Sequence, residues 1–284
     1  MSFKMLSGRT IPSVGLGTYL IQGRRTKTVL DDALTLGYRA FDTATMYNNE
    51  HDLGSALNKL LPQHNLKRED IFITTKLYPS DHGEKAYEAI RTSLNNLQFD
   101  YIDLYLIHWP GVYGVPRHSK DNLKLRTASW AAMVKAMEEG LIKDIGVSNY
   151  TVSHLKQLLD NNYGVKPVVN QVEWHPSCHQ AELKDFCDKE GILLQAYMPL
   201  GGNGNINLIK NSIICDVAKR LGKTPAQILL RWSLQQNIAV IPKSSSRDHL
   251  KENLGVDFII PDDDMAMISK IPPEKFDWDP SDIA

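Results

Sequence analysis

Four residues have the types and the order that proton transfer to a carbonyl oxygen would need: Asp42, Tyr47, Lys76 and His108. A tyrosine has an ordinary pKa of roughly 10. It becomes a usable acid near neutral pH only if a cation stabilises its phenolate. A lysine held beside it by an aspartate supplies that cation. An imidazole can donate a hydrogen bond to a carbonyl oxygen and orient it. Carbonyl reduction needs one proton donor, one oxygen polariser and a separate hydride source. Taken singly, each residue has a structural reading as well. Asp42 could be a cap or an ion-pair partner, Tyr47 a rim residue, Lys76 a surface lysine and His108 a satisfied core histidine. Their order on successive elements favours the chemical reading.

Those elements alternate regularly. Strand-like runs fall at 14–18, 39–42, 71–76, 102–108, 145–148, 168–172, 193–197 and 238–242. Helical periodicity follows them at 27–36, 50–61, 84–97, 128–139, 151–159, 181–190, 209–221 with 225–235, and 247–254. Several strand runs are continuously apolar, the mark of a parallel sheet covered on both faces. Thr224-Pro225 and Thr151 read as helix starts, with an N-cap and, in the first case, proline at the first helical position. Asp262 to Asp264 read as a solvated acidic cap at the start of a late helix, where the helix dipole favours negative charge.

Eight such units predict an α/β fold, a single (β/α)8 TIM barrel spanning residues 1–284, with its active site at the C-terminal ends of the strands. The competitor is a doubly wound sheet. Against it, no G-x-G-x-x-G stands at a strand–helix junction, and no phosphate-binding G-x-x-x-x-G-K-[ST] occurs. The strand ends carry Thr18, Asp42, Lys76, His108, Ser148 with Asn149, Gln171 with Glu173, Tyr197, and Lys243 with Ser244. A connection from His108 to about Thr127 reads as a long functional or mobile loop.

The sequence resembles the aldo-keto reductases from about Met5 to Leu254. Gly37-Tyr-Arg-Ala-Phe-Asp-Thr-Ala-Thr-Met-Tyr-Asn-Asn-Glu50 matches the segment that carries that family's aspartate and tyrosine. Ile73-Thr-Thr-Lys76 matches its lysine strand, and Asp103-Leu-Tyr-Leu-Ile-His-Trp-Pro110 its histidine strand. Gly146-Val-Ser-Asn149, Asn170-Gln-Val-Glu173 and Ile241-Pro-Lys-Ser244 match its cofactor-binding segments. The resemblance implies a barrel with an N-terminal β-hairpin, with Tyr47 as proton donor, Lys76 and Asp42 lowering its pKa, and His108 orienting the substrate. It also implies a nicotinamide dinucleotide bound without a glycine fingerprint. Ser148, Asn149 and Gln171 would then meet the nicotinamide carboxamide, and Tyr197 would offer its ring for stacking. Thr18 and Leu200 would lie near the pyrophosphate. Lys243, Ser244, Ser246 and His249 would meet the adenosine 2′-phosphate, and Glu252 and Asn253 the adenine. Tyr19, Trp109 and Tyr113 would line an apolar substrate pocket.

Two departures matter. Tyr197-Met-Pro-Leu-Gly201 has a methionine where the family commonly has serine. His249 stands where an arginine is usual, with Arg247 two residues earlier. A neutral imidazole is a weaker phosphate partner than guanidinium, so NADPH is expected to be preferred over NADH, by a margin that weakens as pH rises unless Arg247 reaches the phosphate. The tail from Phe276 is short beside those of family members whose tails close the substrate site, which predicts an open pocket. Trp278 either reaches the rim or frays with the terminus.

Composition sets the outer limits. The 284 residues carry 32 Lys+Arg against 33 Asp+Glu, a net charge of −1. That balance excludes the basic excess of a nucleic-acid binder. No run reaches the roughly 18–20 apolar residues of a membrane span, and the opening residues lack a signal-peptide core. Three cysteines are too few and too odd in number for a disulfide framework. They read as reduced thiols, and a cytoplasmic monomer acting on a small carbonyl substrate is expected. His175-Pro-Ser-Cys178-His179 has no partner cluster at ligand spacing, so no metal is expected. Two other readings stay open: a lyase with Lys76 as Schiff base, and a non-enzymatic protein that keeps the barrel and cofactor site.

Overall fold

The computed structural model describes residues 1–202 and 204–284. Two short strands, β1 (Ser2–Lys4) and β2 (Thr10–Pro12), pair antiparallel as the expected hairpin. Eight strands follow: β3 (Leu16–Gly17), β4 (Ala40–Asp42), β5 (Phe72–Leu77), β6 (Ile102–Ile107), β7 (Ile142–Ser148), β8 (Val169–Glu173), β9 (Leu193–Tyr197) and β10 (Ala239–Val240). All are parallel and neighbours in chain order. Between and after them lie α1 (Arg24–Leu36), α2 (Glu50–Gln63), α3 (Ala86–Leu97), α4 (Asp121–Glu138), α5 (Val152–Asp160), α6 (Ala181–Glu190), α7 (Ser212–Leu221), α8 (Pro225–Leu234), α9 (Arg247–Leu254) and α10 (Asp262–Ile268).

The first and last strands close the sheet. Gly15 N donates to Val240 O at 2.9 Å, and Gly17 N to Pro242 O at 3.2 Å. A Cβ on Gly17 would sit 2.8 Å from Ile241 O. Glycine is therefore what lets the two edges meet. Closure removes the open edges that would otherwise invite pairing with another chain.

Alternation along each strand then sorts two cores. Leu104 and Leu106 of β6 point into the barrel, with Met5 and Ile11 of the hairpin region, Ala40, Phe72 and Val169. Tyr105 and Ile107 point outward into the larger layer under the helices. Burial on both faces explains the unbroken apolar runs. The hairpin shuts the N-terminal end, where Arg9 bridges Asp103 and Asp144 at 3.0 and 3.1 Å. Arg68 reaches the other oxygen of Asp103 at 2.7 Å.

Helix starts follow side-chain chemistry. Thr224 and Gln227 form a reciprocal capping box on α8, and Thr151 with His154 does the same on α5. Three expectations need correction. Helix α4 begins at Asp121, so the loop before it is shorter than the expected run to Thr127. Its first two turns are hidden in the sequence because their inner face is polar: Asn122 and Arg126 are buried there, donating to Pro116 O at 2.9 Å and Pro110 O at 3.3 Å. The stretch expected to be helical from 209 is a 3-10 turn, Leu208–Lys210, and α7 starts afresh behind Asn211, whose Oδ1 accepts from Ile213 N at 3.0 Å. In the acidic cap of α10, Asp264 is buried and paired with Arg220, so only Asp262 and Asp263 are solvated. Among the described residues no helix is long and apolar enough to cross a membrane.

Candidate active site

Strands β4, β5 and β6 bring the quartet together at the C-terminal mouth of the barrel. Lys76 is fully buried, and its Nζ lies 2.6 Å from Asp42 Oδ1 and 2.7 Å from Thr43 O. Tyr47 ends a 3-10 turn, Thr45–Tyr47, that runs on from β4. Its Oη stands 3.5 Å from Lys76 Nζ. The His108 ring meets the Tyr47 ring edge-on, with centroids 5.9 Å apart.

Burial dominates the electrostatics. It pushes the Asp42 carboxyl up and the Lys76 ammonium down, while their mutual attraction opposes both shifts. It also pushes the Tyr47 phenol well above its ordinary range, and the charge of Asp42 adds to the rise. Sequence reasoning expected the opposite direction for Tyr47. The lysine's charge is matched by Asp42 at closer range, so it does not outweigh the effect of burial on the phenol. Burial, and then the Lys76 charge, hold His108 well below the usual imidazole range, so it is neutral near pH 7. An amine this buried, with an aspartate and a carbonyl as partners, is not free to attack a substrate, which argues against Schiff-base chemistry at Lys76.

A second ring of polar side chains holds the quartet. Gln171 Nε2 donates to Asp42 Oδ2 at 2.8 Å and to Gln195 Oε1 at 2.8 Å. Asn149 Nδ2 donates to His108 O at 3.0 Å, and Tyr197 Oη donates to Asn149 Oδ1 at 2.7 Å. Ser148 Oγ donates to Gln171 O at 2.7 Å, so its hydroxyl braces β8 rather than facing the cleft. Thr18 Oγ1 donates to Asp42 O at 2.9 Å. Asn49 binds Thr18 O and Ile21 O, both at 2.9 Å, and thereby fixes the loop after β3. Sequence reading missed Asn49 and Gln195. Gln195 is a polar residue inside an apolar strand run, and that mismatch is the signal that could have found it; Asn49 sits in a polar stretch and carries none.

A cleft of about 770 Å³ opens above this network. Tyr19, Tyr47, His108 and Trp109 line one part of it; Thr18, Tyr197, Leu200 and Lys243 line its extension toward α9. Tyr19 packs on Tyr47 with centroids 5.1 Å apart. Tyr113 also lines the cleft and is largely exposed. Three residues around the mouth hold positive φ without being glycine: Leu20 at 61°, Asn149 at 64° and Met198 at 48°. Such strain collects where a backbone must serve a site.

The tail does not fray, contrary to one of the two readings. Asp277 and Trp278 line the cleft, and Trp278 packs against Trp109 with centroids 6.1 Å apart. The anchor is Glu173 at the end of β8. Its buried carboxylate accepts from Phe276 N at 2.7 Å, Asp277 N and Lys275 Nζ at 3.0 Å, and His175 Nε2 at 2.9 Å. Burial would raise this carboxyl, but those donors outweigh it and hold it at about 2. Glu173, His175 and Cys178 do cluster within 4.8 Å. The four donors on Glu173 make the cluster a tail anchor. A short tail therefore still walls the substrate end, so the expected openness is reduced.

At the other end, Lys243 is exposed and Ser244 is buried, with Ser244 Oγ accepting from Ser246 N at 3.2 Å at the start of α9. His249 is exposed on that helix. Arg247 is paired with Asp32, which makes it less available to a ligand. Glu252 accepts from Thr224, and Asn253 is buried, so both also brace α8 and α9 together. The donor set suits a dinucleotide: an aromatic face and carboxamide partners near the quartet, and a cation with hydroxyls at a helix start for phosphate.

The model of the Aldo/keto reductase family matches residues 13–272. Methylglyoxal reductase DkgA of Escherichia coli O157:H7 is 39% identical over 269 residues, covering 94% of this chain and 92% of that protein. NADP-dependent D-sorbitol-6-phosphate dehydrogenase of Malus domestica is 39% identical over 292 residues, covering 93% and 92%. The solved structure of MGS-M4, an aldo-keto reductase enzyme from a Medee basin deep-sea metagenome library, aligns over 100% of both chains with a TM-score of 0.89 and 38% identity. Barrel, mouth and cleft thus agree with sequence and structural kinship: the chain belongs to the aldo/keto reductase family, oxidoreductases that work between carbonyl and alcohol with a nicotinamide cofactor.

Proposed function

We propose that this protein reduces small aldehydes and ketones, dicarbonyls among them, to alcohols, with NADPH as preferred hydride donor and Tyr47 as proton donor. The observation that carries this reading is the chain Asp42–Lys76–Tyr47, 2.6 and 3.5 Å between its polar atoms, opening beside His108 onto the cleft. The bound cofactor supplies the hydride. The substrate carbonyl oxygen sits between Tyr47 Oη and the His108 ring. Neutral His108 has one ring N–H to donate to that oxygen. As the oxygen gains negative charge it becomes a far stronger base than a phenolate, so Tyr47 gives up its proton even though burial holds its pKa high. Lys76 then faces the new phenolate and stabilises it. Asp42 keeps Lys76 charged, and Gln171 keeps Asp42 in place.

Gln171 and Asn149 are suited to the carboxamide, with Ser148 bracing them, and Tyr197 to the ring face. Thr18 and Leu200 flank the pyrophosphate; Glu252 and Asn253 serve the adenine end. Lys243, Ser244, Ser246 and His249 favour a 2′-phosphate, in keeping with the relative named as NADP-dependent. Tyr19 and Trp109 give the substrate an apolar wall, in keeping with a relative named for methylglyoxal reduction. Three free cysteines suit a reducing compartment, and we read the chain as one barrel domain working as a monomer in the cytosol.

The test is cofactor oxidation over a panel of aldehydes, α-dicarbonyls, ketoamides, quinones and steroid ketones. Small aldehydes and dicarbonyls should consume NADPH with a kcat/KM at least about tenfold above that with NADH. A ratio near one would contradict the NADPH preference. No oxidation with any carbonyl would contradict the reduction itself.

A further inference from the structure

The charges facing the cleft are uneven. Asp42 is matched by Lys76. Lys243 stands at the far end, where the proposed cofactor phosphates would occupy it. Arg117, on the rim, lies 4.0 Å from Asp282 and 6.0 Å from the Trp278 ring, so the tail already shares its charge. Asp279 accepts from Ser281 N at 2.9 Å and Ser281 Oγ at 2.7 Å and points along the tail. Asp277 differs. It lines the cleft with Tyr47 and His108, and among the described residues no cation lies within ion-pair distance of it. It is also fixed in place, since its own N–H is held by Glu173 Oε2 at 3.0 Å and its Oδ1 accepts from Trp278 N at 2.7 Å. Its charge reaches the reacting end, because it helps raise both Tyr47 and Tyr197.

We propose that Asp277 is a charge filter at the substrate end of the cleft: it rejects carbonyl substrates that carry a carboxylate and admits neutral or ammonium-bearing ones. This rests on the carbonyl-reductase reading. The aromatic walls, Tyr19, Trp109 and Trp278, give a flat apolar seat to the neutral part of a substrate. The fixed carboxylate gives that seat its sign. Two like charges a few ångströms apart in a half-buried cleft repel enough to change binding by about tenfold, and salt weakens the effect.

The experiment compares 4-formylbenzoate with its methyl ester, which share ring and aldehyde and differ in charge. The ratio of their kcat/KM values is measured with NADPH in the wild-type protein and in Asp277→Asn, where the amide oxygen can still accept from Trp278 N. Intrinsic reactivity cancels between the two proteins. The ester should be favoured in wild type, and Asp277→Asn should narrow the ratio by about fivefold to tenfold. Added salt should narrow it in wild type alone, a readout that needs no variant to fold. Turnover of the ester with a ratio unmoved by either change overturns the filter and leaves the reductase reading intact. Failure of wild type to oxidise NADPH with either aldehyde overturns the reductase reading and the filter with it.

Discussion

Lys76 keeps its charge inside the barrel because Asp42 and Thr43 O stand within 2.7 Å of its Nζ. Removing one partner of such a pair leaves a buried charge without compensation. That local need makes the pair as much a structural commitment as a chemical one. It also changes how Tyr47 is understood. The phenol is held protonated by burial and by Asp42, so its proton is ready throughout the neutral range. In the proposed reaction the basicity of the oxygen it meets would drive the transfer. At the proposed phosphate end, the residue that departs from the usual arginine is His249. With Arg247 engaged by Asp32, a guanidinium at position 249 would add a bidentate, permanently charged partner. His249→Arg should raise the ratio of NADPH to NADH efficiency by about tenfold, measured as the two kcat/KM values. An unchanged ratio would mean that position 249 does not face the phosphate.

The quartet is set by strand ends, and strands with two buried faces are legible as apolar runs. That is why the order Asp42, Lys76, His108 is legible in the sequence. What could not be read is what the side chains do among themselves. Ser148 looks like a ligand-facing hydroxyl at a strand end, yet it bonds Gln171 O. The first two turns of α4 bury Asn122 and Arg126, so no apolar stripe announces them. The tail carries no periodic signal, because polar contacts hold it to the barrel: Glu173 receives the N–H groups of Phe276 and Asp277, and His154 and Arg126 donate to the carbonyls of Ile283 and Ala284. Glu173→Gln should release it. The change removes charge from hydrogen bonds worth about 1.5–3 kcal/mol each, and hydrogen exchange at the amides of Phe276 and Asp277 should speed at least about tenfold. Exchange at the wild-type rate would mean that the tail is held by its aromatic packing and by the bonds of His154 and Arg126 to its last residues instead.

For the whole molecule, closure of eight parallel strands by the Gly17 contact gives a rigid frame in which a near-zero net charge conceals local order. Lys243 stands at the proposed phosphate end, and Asp277 and Asp279 line the other, with Arg117 on its rim. Burial of neutral histidines ties the frame's stability to pH. Burial holds both His82 and His154 at about 4, below the roughly 6.5 of an unfolded histidine. Between those values the unfolded chain binds more protons, so stability is full above about pH 6.5 and is lost as pH falls toward 4. Each histidine should cost about 2 kcal/mol on going from pH 7 to pH 5. Urea unfolding at the two pH values measures it. Protonation takes from His154 the Nδ1 acceptor that receives Thr151 N at 3.2 Å, so the start of α5 should loosen in the same range, while the bond from Nε2 to Ile283 O is kept. Equal stability at pH 7 and pH 5 would contradict this account.

The central claim is that Tyr47 gives the proton to a reduced carbonyl. Its most direct test is kcat for methylglyoxal reduction with saturating NADPH, in wild type and in Tyr47→Phe, alongside cofactor affinity. The account predicts a fall in kcat of about 10²–10⁴-fold with cofactor binding unchanged. A Tyr47→Phe protein that turns over at the wild-type rate would contradict it.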